Sequence, residues 1–223
     1  MHRQQLLSEL TTHIDSIKSS HPLRVAIDGV DTAGKTSLAD ELVSPLQKNG
    51  RSVIRASIDS FHNPQSIRYQ QGKHSPAGYF QDSFNHQALI SLLLAPLGPG
   101  GNLHYQKEIF DFQKDSLTKQ QNFLAQESDI LLFDGVFLLR PELYNYWDLK
   151  IFVKVNFETV LKRAAIRDQK LFGTIKDVQN RYQQKYIPGQ KIYLAACTPE
   201  KLSDIVIQND DPMTVEIVWK DQP

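Results

Sequence analysis

The sequence predicts an α/β fold of three layers, a central parallel sheet covered by helices on both faces, and three observations carry that prediction. Short β-rich runs alternate with longer helical patterns from the first third of the chain to its end. Four of the five runs are almost wholly apolar, as strands buried on both faces must be. The chain has 223 residues, enough to bury one sizeable core, and its 40% hydrophobic and 22% charged residues are ordinary for a folded domain.

Taken in order, residues 1–21 read as an amphipathic helix: Leu6, Leu7, Leu10, Ile14 and Ile17 recur at three- or four-residue steps, and Pro22 ends the pattern. Strands are expected at 24–28, 52–58, 130–133, 150–155 and 205–207. Helices are expected at 35–48, 84–95, 157–172 and 174–186, each ended by glycine, proline or a polar cluster. Asn156 is placed to cap the third of these, with Glu158 in its first turn. Residues 96–106 read as a loop, and "LHYQKEIFDF" alternates like an exposed pair of short strands. The connection over 60–83, carrying Pro64, Gly72, Pro76 and Gly78, is too long for a plain connector, and such loops usually bind something. One domain over 1–223 is expected, with an N-terminal helix at 1–21, a substrate loop at 60–83 and a lid region at 157–186.

Composition narrows the function. Lys plus Arg and Asp plus Glu each total 25, so the chain lacks the basic excess that nucleic acid or an anionic membrane requires. Charges interrupt the apolar residues of the N-terminus, which therefore has neither a signal-peptide core nor a membrane span. Cys197 is the single cysteine, so no intramolecular disulfide and no cysteine-rich zinc site can form, which fits a reducing cytoplasm. The seven histidines lack ligand spacing, which argues against a transition-metal site.

The stretch "AIDGVDTAGKTSLADEL" holds the chemistry. Gly29, Val30, Asp31, Thr32, Ala33, Gly34, Lys35, Thr36 and Ser37 follow the first apolar run and lead into a helix. Successive amides in a glycine-permitted turn, followed by the positive end of a helix, make a cavity for polyphosphate. Lys35 adds a cation for the β and γ phosphates of ATP, Thr36 a hydroxyl for Mg²⁺, and Ser37 a further hydrogen bond. The fold is then that of the P-loop NTPases.

Asp134, ending the run "SDILLFDGVF", is the candidate acid for orienting Mg²⁺, although Asp134 and Gly135 also suit a plain strand-end turn. Asp59, in "SIDSFHNP", stands where the second strand ends. There it would orient an acceptor hydroxyl and take its proton, or it would merely cap the turn before Pro64. Arg163 and Arg167 lie four apart on one helix face and would close together over the nucleotide, the alternative being solvated surface arginines.

With these residues in view, the chain resembles the uridine kinase and phosphoribulokinase family of P-loop kinases, most of all its bacterial uridine kinase-like members. The matching stretches are "VAIDGVDTAGKTSLADEL", "SIDSFHNP", "GYFQDSFN", "EIFDF", "LLFDGVFLLRPEL", "WDLKIFV", "RAAIRD" and "LSDIVIQNDDP", in the family's order. The resemblance implies ATP- and Mg²⁺-dependent phosphorylation of a small alcohol, typically the 5′-hydroxyl of uridine or cytidine. It implies that Asp59 is the base, Arg163 and Arg167 are lid arginines and Asp134 is the strand-end acid. It also implies a homo-oligomer, for which no interface is legible.

Three departures concern the acceptor. Tyr79 stands where the family has a ribose-binding acid. Phe110 and Asp115 replace a tyrosine and a histidine that help hold the base. Phe172 replaces a lid arginine, with Arg181 or Lys185 near enough in sequence to serve the same region. The acceptor is therefore to be sought around His62, Arg68, Tyr69, His74 and Tyr79 in the long loop, His62 first because it lies three residues past the proposed base. A nucleotide-binding regulatory protein, or a related kinase acting on pantothenate or a sugar, stays open as an alternative.

Overall fold

A computed structural model describes residues 1–220, so the last three residues of the expected 1–223 domain lie outside the described residues. The chain order is α1 (Arg3–Ser16), β1 (Leu23–Gly29), α2 (Lys35–Lys48), β2 (Val53–Ser57), α3 (Pro76–Asp82), β3 (Ile130–Gly135), β4 (Leu149–Lys154), α4 (Phe157–Arg167), α5 (Ile175–Arg181), α6 (Ile187–Cys197), β5 (Ile205–Gln208) and β6 (Glu216–Trp219), with shorter turns between. The strands form one sheet in the order β6-β5-β4-β1-β3-β2. All pairings are parallel except that of β6 with β5.

The period of two in the strands divides the core. Val25 and Ile27 of β1, with Ile130 and Leu132 of β3, join the cluster under α1 and α2. Ala26, Leu131 and Phe133 face the other side, against Phe61, Leu93, Phe137 and Tyr193. Both strands are buried at every position. Because β1 lies between β3 and β4, its carboxyl end opens beside theirs, where parallel sheets bind ligands.

The five expected strands all form. The sixth, β6, went unread because it holds the sheet by one edge only and leaves Val218 and Trp219 exposed; its signal is the β-branched and aromatic content of "TVEIVW". α1 buries Leu6, Leu10 and Ile14 but ends at Ser16, short of 21, and Ile17 is already extended. The expected helix over 157–172 breaks at Asp168 into α4 and a turn at Gln169–Phe172. That over 174–186 does not stop: it passes through a π turn, Tyr182–Tyr186, into α6. Pro188 comes directly after that π turn, where the ladder runs to i−5 (Ile187 N–H to Tyr182 O) rather than i−4, so its missing N–H does not end the helix.

The stretch expected as a helix over 84–95 starts at His86 and becomes a π turn, Ile90–Leu94. The long connection contains Gln65–Arg68 and α3, so it is partly helical. The exposed strand pair is instead two small ladders, Phe110–Asp111 with Ser116–Leu117 and His104–Tyr105 with Phe123–Leu124, in which Tyr105 and Phe110 are buried. Among the described residues no helix is long and apolar enough to cross a membrane.

Candidate active site

The loop between β1 and α2 is shaped by two glycines. Gly29 has φ of 156°, and a Cβ there would lie 2.4 Å from the Val153 carbonyl oxygen. Gly34, at φ 95°, caps α2, and its Cβ would meet Asn209 Nδ2 at 2.7 Å. Val30 and Ala33 are packed in the core, and their carbonyls serve as anchors. Lys35 Nζ donates to Val30 O at 2.7 Å, and Asn209 Nδ2 donates to Ala33 O at 2.6 Å. Lys35 is itself buried; burial lowers its pKa, against the opposing pull of Asp31, Asp134, Asp28 and Asp59.

Thr36, in the first turn of α2, donates its hydroxyl to Asp134 Oδ2 at 2.5 Å. Arg55 of β2 pairs with Asp134 Oδ1 at 2.8 Å. A hydroxyl beside one carboxylate suits Mg²⁺, a hard cation that takes few protein ligands and fills its shell with phosphate and water. Among the described residues no group of three or more His, Cys, Asp or Glu side chains is placed to hold a metal ion.

Two cavities meet at this loop. The first, about 670 Å³, is lined by Thr32, Gly34, Ser37, Arg163, Asn209 and Met213 among others. The second, about 500 Å³, includes Asp31, Asp59, His62, Tyr79, Phe112 and Tyr186. Lys35, Thr36 and Arg167 line both. A group passing from one cavity to the other passes these three residues.

The two arginines have different surroundings. Arg163 donates to the carbonyls of Thr32 at 3.1 Å, Asn209 at 2.6 Å and Asp210 at 3.1 Å, stitching the phosphate loop to the segment after β5. Arg167 stands at the junction of the cavities, oriented by Asp168 at 2.6 and 3.0 Å. Tyr182 donates to the same carboxylate at 2.6 Å.

Asp59 sits on the turn Ile58–Phe61 that follows β2, open to the second cavity. Its pKa is raised, first by the surrounding protein walls and then by Asp134, with Lys35 and Arg167 opposing. His62 Nδ1 lies 2.8 Å from Asp59 O; since a carbonyl only accepts, Nδ1 carries the proton. Burial lowers the His62 pKa to about 4, so the ring is neutral at physiological pH, packed between Phe84 and Phe112 at 4.6 and 4.5 Å.

Not every candidate reaches the cavity. Phe110 is buried and does not line it; Phe112, two residues on, does. Arg68 is buried behind Phe112, 4.6 Å from its ring, and pairs with Asp115 at 2.6 Å. Tyr69 and His74 are outside the lining, as are Arg181, which stacks on Phe172 at 4.4 Å, and Lys185, which donates to Lys73 O at 3.0 Å. Sequence reasoning missed Arg55, Asn209, Gln190 and Tyr193. Asn209 stands in the quoted "IVIQNDDP", so the signal for it was present; α6, which carries Gln190 and Tyr193, was hidden behind Pro188.

A phosphate loop at the end of β1 and two cavities joined at Lys35, Thr36 and Arg167 define an ATP-dependent small-molecule kinase of the P-loop class. Residues 25–212 match the Phosphoribulokinase / Uridine kinase family, and the chain belongs to it. It is 24% identical over 209 residues to uridine-cytidine kinase B of Dictyostelium discoideum, covering 90% of this chain and 81% of that one. Against the uridine kinase of Clostridium novyi it is 26% identical over 188 residues, 83% of this chain and 86% of that one. The structure of a possible uridine kinase from Bacillus stearothermophilus shares the fold with a TM-score of 0.72 at 21% identity, over 91% of this chain and 97% of that one. A putative fructose transport system kinase from Silicibacter does so with a TM-score of 0.70 at 20% identity, over 88% and 96%.

Proposed function

We propose that the protein transfers the γ-phosphoryl group of ATP to a hydroxyl of a pyrimidine nucleoside, with Asp59 as the base. The observation that carries this reading is the junction: Lys35, Thr36 and Arg167 face both cavities, and Asp59 faces the second beside them. Asp59 orients the acceptor hydroxyl and receives its proton as the new P–O bond forms and the bond to ADP breaks. Lys35 and Arg167 neutralise charge on the group in transit. Asp134 and Thr36 would hold Mg²⁺, which when bound supplies further charge neutralisation on the phosphate oxygens. Phe112 and Tyr186 offer aromatic faces for a base, and the relatives named as uridine kinases support a nucleoside as acceptor. Cys197, a buried free thiol, is compatible with work in the cytoplasm.

A sugar or pantothenate is the second reading, favoured by the changed acceptor positions: Tyr79 is bonded to Asp31, and Asp115 is spent on Arg68. An ADP-release assay across uridine, cytidine, pantothenate and sugars, with Lys35→Ala as the blank, decides between them. Release above the blank with uridine or cytidine is the expected result. Release with none of them would point instead to a regulatory nucleotide-binding role.

A further inference from the structure

An acid inside a loop that holds anions is electrostatically out of place, yet Asp31 occupies the middle of this one. Its side chain lines the acceptor cavity and is absent from the lining of the first. Two donors from outside the loop tether it: Tyr79 of α3 donates its hydroxyl to Oδ2 at 2.9 Å, and Gln190 of α6 donates to the same Oδ2 at 2.5 Å. Both converge on one oxygen. Oδ1 has no hydrogen-bond partner among the described residues.

Asp31 is half-buried and lines the open cavity, and an ionised carboxylate oxygen can only accept. A group that displaces water from Oδ1 therefore has to bring an O–H or N–H into the cavity. Together with Asp31 the cavity carries Asp59, Asp134 and Asp168 against two lining cations, Lys35 and Arg167, which also face the first cavity, and Arg55, which pairs with Asp134 from outside the lining; one carboxylate remains in excess. An acceptor bearing its own carboxylate would meet this excess of like charge, whereas a neutral polyol would not.

Resting on the kinase reading above, we propose that Asp31 is an acceptor-binding residue whose Oδ1 takes a hydrogen bond from a second hydroxyl of the acceptor, apart from the hydroxyl handled by Asp59, so that the enzyme selects uncharged polyols over acceptors carrying a carboxylate. The backbone of residue 31 thus belongs to the phosphate loop and its side chain to the acceptor. Tyr79, standing where the family resemblance leads one to expect an acid, holds a carboxylate that arrives from the loop instead. Tyr79 and Gln190 are positioning residues.

The test compares uridine, 2′-deoxyuridine and 3′-deoxyuridine as acceptors for the wild type, Asp31→Asn and Tyr79→Phe, with pantothenate as the anionic probe and MgADP calorimetry as the check on nucleotide binding. Asp31→Asn should raise the KM for uridine about tenfold or more while MgADP affinity changes less than about twofold. With the deoxynucleoside that lacks the recognised hydroxyl, Asp31→Asn and wild type should perform alike. Tyr79→Phe should raise the uridine KM in the same direction by a smaller factor, a result that stands even if Asp31→Asn fails to fold. An equal penalty on all three nucleosides would overturn the role of Asp31 while leaving the kinase reading intact. So would a changed Mg²⁺ requirement with acceptor KM unmoved, or a wild type that prefers pantothenate. A wild type inactive on every acceptor would overturn the kinase reading and this inference with it.

Discussion

The Thr36 hydroxyl donates to Asp134 at 2.5 Å, tying the first turn of α2 to the carboxyl end of β3. The register explains why they meet: Asp134 lies opposite Ile27 on one side and Ser57 on the other, beside the point where β1 gives way to the loop. Asp134→Asn keeps the shape and removes the charge. The Mg²⁺ concentration for half-maximal activity should rise about tenfold or more, with acceptor KM little changed. A Mg²⁺ titration at saturating ATP reads this, and an unchanged midpoint would exclude Asp134 from the metal site.

Asp59→Asn should lower kcat by about a hundredfold or more, the usual contribution of a positioned general base. MgADP affinity by calorimetry should stay within about twofold, because Asp59 does not line the first cavity. A kcat near that of the wild type would return Asp59 to the role of turn cap.

Arg163 spends its guanidinium on four backbone carbonyls, those of Thr32, Ala33, Asn209 and Asp210, so its loss should be felt as loosening of the loop. Arg163→Ala should cost about 1–3 kcal/mol of stability and weaken MgADP binding. Arg167→Ala should leave stability closer to wild type and depress kcat more. Urea melts and steady-state kinetics on the two variants should therefore rank them in opposite orders.

Asp28 lies fully buried beneath the loop, accepting the Tyr193 hydroxyl and, at 3.3 Å, the Leu138 amide. Burial raises its pKa from 3.8 to about 6, against those hydrogen bonds and the pull of Lys35. Between these values the folded state holds more proton than the unfolded one, so the contribution of Asp28 to stability falls as pH rises through the window and is flat above it. The fall amounts to about 3 kcal/mol. Asp28→Asn cannot ionise. The stability of wild type minus that of the variant should therefore drop by about this amount from pH 4 to pH 7 in urea melts, and a pH-independent difference would refute the assignment.

How much of this was legible in sequence depended on whether the signal was local. The phosphate loop and the strand-end acids Asp59 and Asp134 are each written in a few consecutive residues, and the buried strands in their apolar runs. The shape of the acceptor side is not. Tyr79 meets Asp31 across 48 residues and Gln190 meets it across 159, and no spacing rule spans such distances. Motif position points to Phe110, but that side chain is buried in a two-residue strand, and the cavity is lined instead by Phe112 in the turn that follows, where no strand period sets direction. Arg163 and Arg167 share a helix face as spacing requires, but which of them finds carbonyls depends on the segment at Asn209 and Asp210.

The π turn at Tyr182–Tyr186 sets the phase of everything after it. It accommodates one residue more than an ordinary turn, and each helical residue advances the azimuth by about 100°. Shortening the turn by one residue would swing Gln190 and Tyr193 together off the faces from which they reach Asp31 and Asp28. A deletion there would leave the helical segment long enough and the strands untouched, yet it would disconnect both aspartates at once, so this bulge is the place where length matters more than residue identity.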